Sequence, residues 1–205
     1  YIFFKNFSIF KYKGISLGEN SDVDASLREK IYNDNVDSVV QITGMDSNGI
    51  SSYGSGFVLD KGLVVTTWSK LLSFLNSGNY IYVNDYLGNT YDVSGVVAID
   101  VDYDIAVLKC NKEFGNGVSF NKSDTLKIND NLFMISSKLN NNFSLSYGNF
   151  ISLNHGKMNN LLLVSDGDIG GALFDVNGAV VGFNVGDSIN SELSYGNSTD
   201  YLIKL

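Results

Sequence analysis

Short apolar runs separated by turn residues fill the sequence from about residue 38 onward. Segments such as SVVQITGM, GLVVTTW and DIAVLKC are bounded by Gly, Asn, Asp or Ser, and the chain has 21 Gly and no Pro. Runs of this length rich in Val, Ile, Phe and Tyr are typical of strands rather than helices. Many short strands with regular turns predict an all-β sandwich or barrel.

The predicted strands cover most of the chain. In order they are SVVQITGM, SGFVLD, GLVVTTW, YIYVND, TYDVSGVVAID, DIAVLKC, NLFMISS, SYGNFISL, NLLLVS, GALFDV, AVVGFNV and DYLIKL. Residues 1–17 predict one or two further strands. The apolar start of that region, YIFFKNFSIF, is too short to span a bilayer. It is either an aromatic edge strand or the end of a membrane anchor that lies upstream.

Two helices interrupt the strand pattern. Residues 24–32 place Leu27 and Ile31 at helical spacing, with acids early and Arg28 and Lys30 late, which complements a helix dipole. The run SKLLSFLNSGN, Ser69 to Asn79, is the second candidate. We therefore expect few, short helices.

Charge excludes one class of partner. The 205 residues carry a net charge of −8 and a pI near 4.5. A length of this order suits one large all-β domain or two small ones. An acidic surface repels phosphate backbones, and no basic cluster reverses this locally, so we expect no nucleic-acid partner.

Metal and disulfide chemistry are poorly supported. His155 and Cys110 are the only residues of their types, so no intrachain disulfide can form and a His/Cys metal site is nearly excluded. The acids of Asp100 to Asp104 alternate, but the segment lacks the Gly and the distal Glu of a calcium loop. We expect no metal and no cofactor.

Three segments, in order, resemble trypsin-like serine proteases of the HtrA/Deg type. The segment GSGFVLDKGLVVTTWSKL resembles the one that ends in the catalytic histidine, and DVDYDIAVLK resembles the one that holds the aspartate. The segment GDIGGALFDVNGAVVGFN resembles the nucleophile loop and the strand after it. Between them, SDTLKINDNLFMI and YGNFISL match framework strands. The likeness covers roughly residues 36–184.

The resemblance implies two six-stranded antiparallel β-barrels of the chymotrypsin fold, with the site in the cleft between them. We expect one domain over residues 1–205. About 1–35 would form an N-terminal extension, about 36–112 the first barrel and about 113–205 the second. Many relatives work in the bacterial cell envelope, so the resemblance also implies an extracytoplasmic or membrane-associated setting.

The catalytic positions implied by the resemblance hold the wrong residues. The general base falls at Ser69, whose hydroxyl cannot usefully accept a proton near neutral pH. The nucleophile falls at Ile169, which has no lone pair. Asp104 retains the orienting acid, whose task is to hold an imidazole that is absent here. The sequence therefore predicts a pseudoprotease with no intact catalytic site.

Other residues could replace the missing nucleophile and base, but no sequence motif places them together. His155 is expected in a surface loop of the second barrel, away from the cleft. Ser165 could act as a displaced nucleophile only with a base and a new oxyanion hole. A pair of a serine with Lys70 is conceivable, but the spacing does not support it. An active serine-type peptidase with a rearranged site remains the alternative.

Other positions near the lost triad have two interpretations each. The oxyanion-loop equivalents are Gly167, Asp168 and Ile169, followed by Gly170 and Gly171. The glycines serve either a tight loop or a retained nest of N–H groups that could hold a carboxylate or carbonyl. Ile169 either plugs the former specificity pocket or contacts a partner.

The strand after the loop resembles the family's substrate-pairing strand. Its residues Gly182, Phe183, Asn184 and Val185 could bind an extended peptide by β-augmentation, or form a capped and unused edge. Trp68 either fills the space of the missing imidazole or anchors an interface. The most direct function is therefore a protein-binding, scaffolding or regulatory module; a structural element of a longer chain is a further possibility.

Overall fold

A computed structural model describes residues 23–49, 51–78, 80–138, 142–187 and 193–202. Its twelve strands form two closed antiparallel barrels of six strands each. The order around the first is β1-β2-β3-β6-β5-β4, and around the second β10-β11-β12-β9-β8-β7. This confirms the predicted all-β class and the chymotrypsin-like architecture.

The strand bounds are as follows. The first barrel consists of β1 (Val39–Met45), β2 (Ser51–Asp60), β3 (Leu63–Thr67), β4 (Tyr80–Asn84), β5 (Thr90–Asp100) and β6 (Ile105–Cys110). The second consists of β7 (Asn131–Lys138), β8 (Asn142–Asn154), β9 (Lys157–Leu161), β10 (Ala172–Phe174), β11 (Val180–Asp187) and β12 (Ser194–Ser198).

Strands at the contact between the barrels are buried on both faces, which explains their continuous apolar runs. In β2, Val58 packs inside the first barrel while its neighbour Phe57 packs into a cluster shared by the two barrels. In β7, Met134 packs inside the second barrel while Phe133 joins the shared cluster. Successive side chains of a strand point to opposite faces of the sheet. When both faces are buried, apolar residues therefore occupy every position instead of alternating with polar ones.

The two helices differ in length from the sequence prediction. The first, α1 (Ala25–Asn35), begins after the N-cap Asp24 and runs on to Asn35. Arg28 and Lys30 therefore lie in its middle, and its last turn has no basic residue, so the predicted dipole complement was wrong. The second, α2 (Trp68–Asn76), begins one residue earlier and ends three residues before the predicted end.

Two predicted strands were wrong in position. Residues 162–165 do not form a strand, because β9 lies earlier at Lys157–Leu161. Residues 200–202 form a turn, and the last strand among the described residues is β12, whose sequence SYGNS has no apolar run. It is held instead by pairing with β11 on one side and β9 on the other. Residues 203–205 of the predicted strand lie outside the described residues. The prediction for residues 1–17 lies outside the described residues.

Two further properties of the described residues bear on earlier expectations. None of their helices has both the length and the hydrophobicity required to cross a bilayer. Cys110 lies in the core of the first barrel. Burial there raises the pKa of its thiol to about 11, with a smaller contribution from Asp92.

Candidate functional site

The candidate site includes Asp104, at the end of the β5–β6 turn. Its carboxylate accepts two hydrogen bonds from one residue of α2: the Ser69 N–H at 2.6 Å and the Ser69 hydroxyl at 2.8 Å. Its backbone carbonyl accepts the Trp68 N–H at 3.1 Å. Asp104 has a φ of 53°, a left-handed conformation that Asp tolerates better than most residues.

These bonds give Asp104 a structural task at the start of α2. The first N–H groups of a helix have no partner within the helix, and negative charge is favourable there. Asp104 satisfies the first two, and the Thr67 side chain accepts the third, from Lys70, at 3.4 Å. Trp68, at the first helical position, packs partly buried against the core of the first barrel.

The second part of the candidate site is the loop from Ser165 to Gly171, which contacts both β2 and α2. Its residues 166–168 form one 3₁₀ turn, in which the Ile169 N–H donates to the Asp166 carbonyl at 3.4 Å. The Ile169 side chain is half-buried. Its N–H corresponds to the nucleophile N–H of an oxyanion hole, which should point at substrate rather than into its own loop.

Asp168 anchors this loop from inside. It is 1% exposed, and its carboxylate accepts the Ser136 hydroxyl at 2.5 Å. The same carboxylate accepts the Ser165 N–H at 2.6 Å and the Ser165 hydroxyl at 2.8 Å. A buried carboxylate is tolerable only when it is well hydrogen-bonded. Ser136 ties the loop to β7, and the two donors of Ser165 close the turn within the loop.

Ser55, buried on β2, joins the first barrel to the second. Its N–H donates to the Ile169 carbonyl at 2.7 Å, and its hydroxyl donates to the Gly167 carbonyl at 2.9 Å. The hydroxyl oxygen also accepts the Ser137 N–H at 2.9 Å. The sequence analysis missed this role; the signal was a small polar residue between two glycines in GSGF.

Gly170 lies where the loop comes closest to Ser55. Its φ is +89°, and a Cβ at this position would stand 2.0 Å from the Ser55 carbonyl oxygen. Its N–H donates to the Asn184 carbonyl at 2.8 Å. The glycine requirement is therefore set by both backbone angle and space.

Lys70 and Asp166 connect α2 to the loop. The Lys70 ammonium lies 3.4 Å from the Asp166 carboxylate, and the Lys70 side chain is only 13% exposed because its stem covers Gly54. The Asp166 side chain is 87% exposed. An ion pair with one exposed member contributes little to stability, so the buried stem is the main contribution of Lys70.

Comparison with known families shows which family the chain belongs to. The family model described as "Trypsin-like peptidase domain" matches residues 54–183, which is more than half of the chain. The matched span includes Ser69, Asp104 and Ile169. The chain belongs to the trypsin-like peptidase domain family.

Individual proteins are similar to this trypsin-like domain in structure or in sequence. A crystal structure of Deg5 superimposes with a TM-score of 0.73 at 24% identity, covering 87% of this chain and 91% of that one. The two chains thus share one fold. Anti-sigma-I factor RsgI9 of Acetivibrio thermocellus is 28% identical over 152 residues. That match covers 71% of this chain but only 21% of the relative, so the trypsin-like domain spans about a fifth of that protein.

The trypsin-like fold brings Ser69 and Asp104 into direct contact, on one wall of the cleft. His155 lies in the exposed turn between β8 and β9. Ser165 is held in a capping box with Asp168, and the Lys70 ammonium donates to Asp166 rather than to a serine. No described histidine, cysteine or acid belongs to a group of three that could hold a metal ion.

The proposed peptide-binding strand is paired on both sides over part of its length. Phe183 pairs with Ala172 of β10 and with Asn197 of β12. The Asn184 N–H donates to the Gly171 carbonyl at 2.8 Å, and its carbonyl accepts the Gly170 N–H. Beyond Asn184, no β-strand among the described residues pairs with β11 on the side opposite β12. Any edge for a peptide therefore begins at Val185.

Proposed function

We propose that this trypsin-like domain is catalytically inactive and acts as a protein-binding module with a scaffolding or regulatory role. The observation that carries the proposal is the contact between Ser69 and Asp104. In a working triad the acid orients an imidazole, which takes the proton of the nucleophile. Here the acid accepts a hydroxyl and a helix N–H, and no group at the base position can accept a proton.

The other side of the cleft supports the same proposal. Ile169 places a half-buried apolar side chain at the nucleophile position. The N–H of Ile169 bonds within the loop rather than facing outward. Attack on a carbonyl needs a nucleophile, a proton acceptor and donors for the oxyanion. The nucleophile and the base are absent from their positions, and one oxyanion donor is occupied.

The alternative, an active peptidase with a rearranged site, draws on Ser165. Its hydroxyl does meet a carboxylate, that of Asp168 at 2.8 Å. The same carboxylate also accepts the Ser165 N–H and the buried Ser136 hydroxyl. This is the pattern of a capping box, and the geometry favours a structural role for the pair.

The wider context of the module is also a proposal. The relative from Acetivibrio thermocellus is named an anti-sigma-I factor. By analogy, this domain belongs to a longer protein that regulates transcription through a sigma factor, and it binds a protein or extended peptide for that purpose. Because the fold is of the HtrA type, we place the module outside the cytoplasm or at the membrane.

Inactivity is tested directly with the full chain. A fluorescent casein substrate and a serine-reactive fluorophosphonate probe are incubated with the wild type, Ser165→Ala and Asp104→Asn. We expect no turnover and no labelling above that of the heat-unfolded wild type, with trypsin as the positive control. Turnover that disappears in Ser165→Ala would establish the rearranged peptidase instead.

Peptide binding in the cleft is tested at Val185 rather than Asn184. Proline at Asn184 would remove an N–H that holds the loop, so the fold would be damaged together with the groove. We expect Val185→Asp to lose a partner that wild type captures from the native source, while Leu145→Asp, on β8, retains it. Both residues pack partly buried against the same apolar cluster, so the two variants carry a similar cost to the fold. Equal capture of the partner by both variants would show that the interface lies outside the cleft.

A further inference from the structure

The second half of β5 presents apolar side chains to solvent. Val96, Val97 and Ile99 of β5, and Val101 directly after its end, are all exposed, Val97 to 54% and Val101 to 69%. Single exposed apolar residues are ordinary on protein surfaces, whereas neighbouring ones along one strand form a patch that indicates an interaction site. We call these four residues the β5 strip.

The backbone beside the β5 strip is an open strand edge. The strand β4 pairs only with Thr90, Tyr91 and Asp92 of β5. From Val93 to Asp100, β5 pairs with β6 on one side, and no described strand pairs with it on the other. A Cβ at Gly95 would meet no atom within 4 Å, so the space there is empty of described residues. An exposed edge of this kind is a template for a further strand.

Bulges increase the exposure of the strip. The pairing of β5 with β6 shifts register between Val96 and Ala98, so Val97 is an extra residue without a partner on β6. After the bulge the register is regular again: Ile99 pairs with Ala106 and Asp100 with Ile105. A bulge increases local twist and redirects a side chain. Here it adds Val97 to the exposed apolar face.

The acidic residues beside this edge favour a positively charged partner segment. Asp100 and Asp102 border the β5 strip, and β6 contributes one cation, Lys109, opposite Gly95. A second copy of this chain would bring the same two carboxylates, and like charges across a strand pair are destabilising. An extended segment with lysine or arginine between its apolar residues has the opposite charge and the matching apolar face.

We infer that the β5 edge binds an extended segment of a partner protein in which apolar residues alternate with lysine or arginine. Backbone pairing along Val96 to Asp100 supplies affinity, the β5 strip covers the apolar side chains, and Asp100 and Asp102 meet the cations. This surface adjoins the turn that ends at Asp104, but strand pairing along β5 does not require the cleft to bind anything.

The test uses the full chain and a fluorescent peptide in which valine alternates with lysine and threonine, followed by anisotropy. We expect saturable binding that Val97→Lys/Ile99→Lys weakens at least about tenfold, equivalent to about 1.4 kcal/mol. The matched control is Leu87→Lys/Val176→Lys, which adds the same charge at exposed apolar positions off this edge. Its affinity is expected to stay within about twofold of wild type.

Three comparisons decide between strand pairing and other modes of binding. A peptide methylated on alternate backbone nitrogens should lose binding, because it cannot donate along one edge. A peptide with glutamate for lysine should bind more weakly. Val185→Asp, in the cleft, should leave affinity unchanged. The inference would be overturned if the peptide does not bind, if the control variant loses as much affinity as Val97→Lys/Ile99→Lys, or if methylation has no effect. A loss of affinity in Val185→Asp would also overturn it.

Discussion

Gly170→Ala is expected to destabilise the protein by about 4 kcal/mol or more, the largest effect of any single substitution in the cleft. The added Cβ would lie 2.0 Å from the Ser55 carbonyl oxygen and 2.9 Å from the Thr66 hydroxyl. Both neighbours are buried, and they hydrogen-bond to each other at 2.8 Å. The loop must move away from β2, which also strains the bond between Ser55 and Ile169.

The measurement is thermal unfolding of wild type and variant. For a chain of this size 1 kcal/mol corresponds to about 2–4 °C, so the midpoint should fall by about 10 °C or more. Gly78→Ala is the matched control, because Gly78 has a φ of +65° but no atom within 4 Å of its Cβ. It carries only the conformational cost, about 1 kcal/mol. Equal shifts in the two variants would show that the close approach to Ser55 contributes nothing.

The second large effect is expected at Asp168. Asp168→Ala removes the acceptor of three donors, the Ser136 hydroxyl and both the N–H and hydroxyl of Ser165. Leaving buried donors without an acceptor costs about 1–3 kcal/mol for each group that water cannot reach. We expect a loss of about 3 kcal/mol in urea unfolding and faster proteolysis within residues 162–168.

Two variants separate the carboxylate's role from its charge. Asp168→Asn keeps one acceptor oxygen, and the Ser136 hydroxyl can rotate to accept from the amide, so we expect a loss of only about 1 kcal/mol. Asp166→Ala removes the same charge from the same turn, but its exposed side chain should contribute less than about 1 kcal/mol. A loss at Asp166 as large as that at Asp168→Ala would contradict the proposed anchoring.

The sequence predicted correctly those barrel strands that contain runs of apolar side chains. The segments that end at Asp60 and Cys110 combine such runs with turn residues, and the structure confirms strands there. It failed at β12, where Ser, Gly and Asn are buried because neighbouring strands require small residues. A Cβ at Gly196 would lie 2.8 Å from Leu173. Tertiary packing, not local preference, makes this segment a strand.

The motifs assign residues to the candidate site but do not predict their arrangement. Ser69, Asp104 and Ile169 are assigned because each motif has a fixed place for its catalytic residue, and this assignment stays a prediction. The new contacts join residues far apart in the sequence, such as Ser55 with Ile169 and Ser69 with Asp104. No local pattern specifies such pairs. Only closure of both barrels brings them together.

The buried hydrogen bonds of Ser55 have a consequence for motion. They fasten β2 to the loop of the second barrel at several atoms, and the shared apolar cluster lies beside them. Hinge opening of one barrel against the other would have to break these bonds in a region that excludes water. We therefore expect the two barrels to exchange their amide hydrogens as a single cooperative unit. A partner would then meet a preformed surface, and recognition would depend on complementary shape rather than on closure around the ligand.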